Sequence, residues 1–93
     1  DVIVLRNHGT ITCGNTIEAA VMRMVAAERA FRLNVLALQT PNVKLVPEET
    51  ALLTREWIGN DMAFTIEFNA LLRKIERMDP EFKKFRPSHF NSL

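Results

Sequence analysis

His8 lies between Asn7 and Gly9, in the tetrad Arg6-Asn7-His8-Gly9 that separates two apolar runs. A neutral imidazole held on a tight turn can offer a ring nitrogen to a transition metal, while compact neighbours keep the backbone close around it. One histidine does not complete a coordination shell; the plain alternative is a turn histidine bonded to backbone or water. Glu28 falls within the apolar stripe of a helical segment, where an unpaired carboxylate is costly to bury. Arg32, four residues on, stands in the favourable orientation to pair with it, so a structural ion pair is expected in preference to a catalytic acid. Arg6 offers a guanidinium near the same turn, either for a phosphate or carboxylate or as a solvated surface residue. His89, in Pro87-Ser88-His89-Phe90, has no companion at ligand spacing and is read as a surface histidine. Cys13 is read as a small packed hydrophobe of a strand. The helix start at Gly14-Asn15-Thr16 has the form of an anion site, but its glycine is already explained by the turn.

These residues need elements to position them. Val2-Ile3-Val4-Leu5 is apolar on both faces and Thr10-Ile11-Thr12-Cys13 alternates, so residues 2–13 are predicted to form a strand pair closed at the Asn7-His8-Gly9 turn, where Gly9 and Asn7 tolerate a positive φ. Asn15 followed by Glu18 resembles a capping box and predicts a helix over 16–39. In it, Ile17, Val21, Met24, Phe31, Val35 and Leu38 recur at steps of three and four, a stripe that Ala20, Ala27 and Val25 broaden. The other faces are also largely apolar, with only a strip around Arg23 and Asn34 suited to water, so this helix calls for cover from more than one direction. Pro41 stops it. Pro47-Glu48-Glu49 starts the next, predicted as one long helix over 47–78 because Leu53, Trp57, Phe64, Phe68, Leu71, Ile75 and Met78 keep one phase across Gly59. Asp79-Pro80 ends it, and the tail, 79–93, is read as irregular and basic, with Phe82, Phe85 and Phe90.

Ninety-three residues make one domain at most. Lys and Arg number 12 against 11 Asp and Glu, a formal charge of +1, which lacks the basic surplus that nucleic-acid binding requires. No apolar run approaches the roughly 20 residues of a membrane span. The single cysteine allows no internal disulfide and fits a cytoplasmic setting. Asp1 opens directly into a strand-like run, so the chain is read as a portion of a longer one.

The run Val4-Leu5-Arg6-Asn7-His8-Gly9-Thr10, followed by Cys13-Gly14-Asn15-Thr16-Ile17-Glu18-Ala19-Ala20 and Glu28-Arg29-Ala30, resembles the class II aldolase/adducin family. The likeness spans residues 2 to 40 and fades beyond. It implies an α/β fold of three layers, α/β/α, with a largely antiparallel sheet, of which this chain is the C-terminal portion, assembled as a homotetramer. It implies a divalent metal, usually Zn2+, held by an upstream His-x-His pair and by the histidine of the Asn-His-Gly turn, which is His8 here. The implied activity is that of a lyase of carbohydrate metabolism. It breaks a C–C bond in a small hydroxylated or phosphorylated carbonyl substrate through an enediolate, with aldol cleavage, epimerisation and decarboxylation all open. The upstream pair and the glutamate that serves such enzymes as acid/base have no counterpart in this sequence, so these residues alone are not expected to be active. The alternative is an adducin-like binding domain without a complete metal site, and a plainer one is a segment that only packs and joins subunits. By position, the aromatic tail resembles family C-termini that reach a neighbouring subunit's site, although Phe85 and Phe90 match no motif.

Overall fold

The structure is a computed structural model and describes residues 1–85. Two strands, β1 (Val2–Leu5) and β2 (Gly9–Thr12), lead into three helices, α1 (Ile17–Ala37), α2 (Glu48–Ile58) and α3 (Asp61–Met78), and a 3-10 turn over Pro80–Phe85. A mostly helical chain with an antiparallel strand pair at its start is what a portion of an α/β fold supplies. The predicted tail positions His89 and Phe90 lie outside the described residues.

The strands form an antiparallel hairpin in the register Val2↔Thr12 to Leu5↔Gly9. Its open end is closed by reciprocal backbone hydrogen bonds between Asp1 and Cys13, each 3.0 Å. At the other end the Arg6-Asn7-His8 loop turns back, with the His8 N–H donating to the Leu5 carbonyl at 3.4 Å. Asn7 adopts the left-handed region, φ 55, and no glycine has a positive φ. The turn therefore rests on the residue next to the histidine. Asparagine enters this region more readily than most side chains, which leaves Gly9 to begin β2.

α1 starts one residue later than the Asn15 capping box implied. Thr16 is the cap: its backbone is extended (φ −131, ψ 161) and its hydroxyl accepts from the Ala19 N–H at 3.1 Å. Asn15 instead donates its amide to Asp61 at 2.7 Å. The helix ends at Ala37, short of 39, in a run of tightened backbone bonds from Gln39 to Leu36 and from Thr40 to Ala37 before Pro41. The face it buries also differs from the predicted stripe. Ala19 and Met22 pack with Phe64 of α3, flanked by Val25, Phe68 and Leu71, while Ile17, Val21, Met24, Phe31, Val35 and Leu38 are all exposed. Small Ala19 lets α3 approach closely enough for Phe64 to reach Met22. The described residues leave the larger side chains of the stripe only partly covered.

The predicted helix over 47–78 is two helices. Asn60 takes an extended backbone (φ −88, ψ 153) and caps α3 by accepting from the Ala63 N–H at 2.9 Å, while its amide donates to the Trp57 carbonyl that ends α2. Apolar phase survives a break of two residues, which is why periodicity alone reads one helix there. α2 buries no residue. α3 stops at Met78, and Asp79 before Pro80 is extended, φ −134 and ψ 87. The first part of the tail is ordered as the 3-10 turn: the Glu81 N–H donates to the Asp79 carboxylate at 3.1 Å and Lys84 pairs with Glu81.

Candidate functional site

His8 stands at the tip of the hairpin, exposed, and its ring makes no hydrogen bond among the described residues. The hairpin ladder below it and the Leu5 carbonyl behind it fix the backbone that carries the ring. Its donor chemistry, a ring nitrogen free of protein partners, suits a divalent transition metal as one ligand. Among the described residues no group of three or more His, Cys, Asp or Glu side chains could complete a coordination shell. Arg6 is exposed two residues before His8 and makes no ion pair among the described residues.

The other sequence candidates lie elsewhere. Glu28 and Arg32 pair at 2.6 Å with both side chains more than half exposed, as their spacing predicts, and a pair so solvated contributes little to stability. Cys13 is exposed, in contrast to the packed strand residue expected. It follows the last residue of β2, and its backbone makes its hydrogen bonds, the N–H donating to Asp1 and the carbonyl accepting from Asp1 and Arg23. The segment Gly14-Asn15-Thr16 binds within the protein: the Thr16 hydroxyl accepts from the Ala19 N–H in the first turn of α1 and Asn15 is engaged by Asp61.

Arg23 and Asp61 went unrecognised as a pair in the sequence, where Arg23 reads as a solvent-facing helix residue. The Arg23 side chain is only 19% exposed. One guanidinium nitrogen donates to the Cys13 carbonyl at 2.8 Å and the other to Asp61 Oδ1 at 2.9 Å. The guanidinium lies over the Phe64 ring, 5.3 Å from its centre. Asn15 donates to the second oxygen of the same carboxylate. On the other side of the joint the Thr12 hydroxyl donates to the Ala20 carbonyl at 2.8 Å. Gly14 sits so close to α1 that a β-carbon there would stand 2.7 Å from the Ala20 nitrogen and 2.8 Å from the Arg23 side chain. These contacts tie the base of the hairpin to both α1 and α3. The sequence separation of 38 between Arg23 and Asp61 leaves no local signal of the pairing.

The sequence profile of the family described as Class II Aldolase and Adducin N-terminal domain matches residues 1–35, the stretch that holds the hairpin, His8 and most of α1. A Caulobacter vibrioides protein named for the class 2 aldolases is 34% identical over 84 residues, covering 86% of this chain and 33% of that protein. The decarboxylase NovR of Streptomyces niveus is 26% identical over 92% of this chain and 32% of its own length. A Streptomyces roseochromogenus protein named 4-hydroxy-3-prenylphenylpyruvate oxygenase/4-hydroxy-3-prenylbenzoate synthase is 24% identical over 92% of this chain and 31% of its own length. The chain thus spans about a third of the length of these relatives. No solved structure gives a significant match.

Proposed function

Because the chain belongs to the class II aldolase and adducin family, we propose that the intact protein is a divalent-metal-dependent lyase in which His8 supplies one of the metal's ligands. The observation that carries this reading is the His8 ring itself: exposed, without a partner among the described residues, and presented by a hairpin turn that falls within the matched family segment. No group of the described residues completes the set, so the remaining ligands are sought elsewhere in the intact protein. His8 would hold a divalent metal at its turn, and such a metal, when bound, would supply Lewis acidity toward a substrate carbonyl beside the C–C bond to be broken. The hairpin turn fixes the backbone that carries the His8 ring, and Arg6 gives the same turn a cation to attract an anionic substrate group.

The substrate is a small hydroxylated carbonyl compound, with or without a phosphate. Aldol cleavage and decarboxylation both develop negative charge beside a carbonyl, so one metal site serves either reaction. The experiment is to assay the zinc-loaded intact protein for C–C cleavage on a panel of hydroxylated carbonyl compounds and oxo acids, with and without a chelator. Cleavage that is lost on chelation and in His8→Ala supports the lyase. A protein that binds no divalent metal and cleaves nothing is instead an adducin-like binding domain.

A further inference from the structure

We infer that Arg23, held by Asp61, is a positioning residue for the His8 turn; this rests on the reading of His8 as a metal ligand. The hairpin meets the helices at its base, through the Arg23 fork on the Cys13 carbonyl and Asp61, the Thr12–Ala20 hydrogen bond and the close approach of Gly14. His8 is at the far end. Four residues of strand at about 3.3 Å each put the tip about 13 Å from that joint, so a rotation of about 10° at the base moves the tip by about 2 Å. Metal–ligand distances hold to within about 0.2 Å, far less than that displacement. Small play at the joint is therefore large at the imidazole.

Arginine suits this place because its planar fork engages two acceptors on two different elements at once, the carbonyl closing the hairpin and the carboxylate opening α3. A lysine has one nitrogen and cannot reproduce both contacts in the same geometry. Phe64 beneath the guanidinium and Asn15 on the second carboxylate oxygen limit the directions in which the fork can shift. None of these residues is a metal donor; Arg23 acts on the site through the hairpin.

The test is zinc affinity of the intact protein, measured by competition with a chromophoric chelator, in wild type, His8→Ala, Arg23→Met, Arg23→Lys and Arg32→Met. Circular dichroism reports whether each variant keeps its helices. Arg23→Met is expected to weaken zinc binding by about tenfold with helicity retained, and Arg23→Lys to fall between it and wild type. Arg32→Met, which opens only the exposed pair with Glu28, is expected to bind as wild type. Wild-type affinity in Arg23→Met, together with loss of zinc in His8→Ala, overturns the positioning role and leaves the ligand assignment standing. Wild-type affinity in His8→Ala overturns both. If Arg23→Met loses its helices, Asp61→Asn, which keeps the side-chain shape and removes the charge that holds the fork, decides by the same criterion.

Discussion

At the scale of the residue, His8 and Gly14 separate function from stability. The His8 ring contacts no hydrogen-bond partner among the described residues, so His8→Ala is expected to change stability by less than about 0.5 kcal/mol. The same change is expected to remove most of the protein's bound zinc, as read by elemental analysis of the purified protein. Gly14→Ala has the opposite profile. Its new β-carbon would stand 2.7 Å from a backbone nitrogen that cannot easily move, so denaturant unfolding of the intact protein should show a loss of about 1–3 kcal/mol. The turn that carries His8 was legible in the sequence because its signal is local: an Asn-His-Gly segment between two apolar strands. Asn7 adopting the left-handed φ was half legible, since either Asn7 or Gly9 suits the turn and only the backbone decides. Arg23 was not legible. Its role depends on Asp61 in another helix, and a pairing across the fold leaves no trace in helical periodicity.

The elements are set by caps as much as by apolar pattern. Thr16 and Asn60 each accept a hydrogen bond from a free first-turn amide of a helix, Ala19 and Ala63, and Thr16→Ala and Asn60→Ala should each reduce stability by about 1 kcal/mol in the same unfolding measurement. Changing Asn15 to alanine should leave the α1 cap intact, because its amide serves Asp61. Strand and helix types were readable, since β-branched Val2, Ile3 and Val4 and the three- and four-residue spacing of Phe64, Phe68 and Leu71 state the two periods directly. The split of residues 47–78 was not, because Leu53 and Trp57 keep the phase of α3 although Gly59 and Asn60 separate the helices. Which of the apolar sides of α1 meets α3 was not legible. Its longest apolar stripe is not the side that meets α3; Ala19 and Met22 are, because a close helix contact selects small and flexible side chains over large ones.

On the scale of the whole molecule, the chain leaves much apolar surface without cover. Trp57 is 75% exposed, α2 buries nothing, and the radius of gyration of 16.4 Å exceeds the roughly 12 Å of a compact domain of this length. The apolar character of the first helix on several faces, visible in its sequence, anticipated this demand for cover. Which surfaces supply it was not visible, and none is found among the described residues. The intact protein is expected to self-associate, and light scattering should give the mass of an oligomer, a tetramer on the family's pattern; a monodisperse monomer would contradict that expectation. No helix among the described residues is long and apolar enough to cross a membrane. The central claim, that the hairpin turn delivers a metal ligand, is tested most directly by a crystal structure of the zinc-loaded intact protein with anomalous data collected at the zinc edge. The expected result is a zinc peak about 2.0–2.1 Å from a ring nitrogen of His8. A zinc peak coordinated elsewhere, with the His8 ring turned away from it, would contradict the claim.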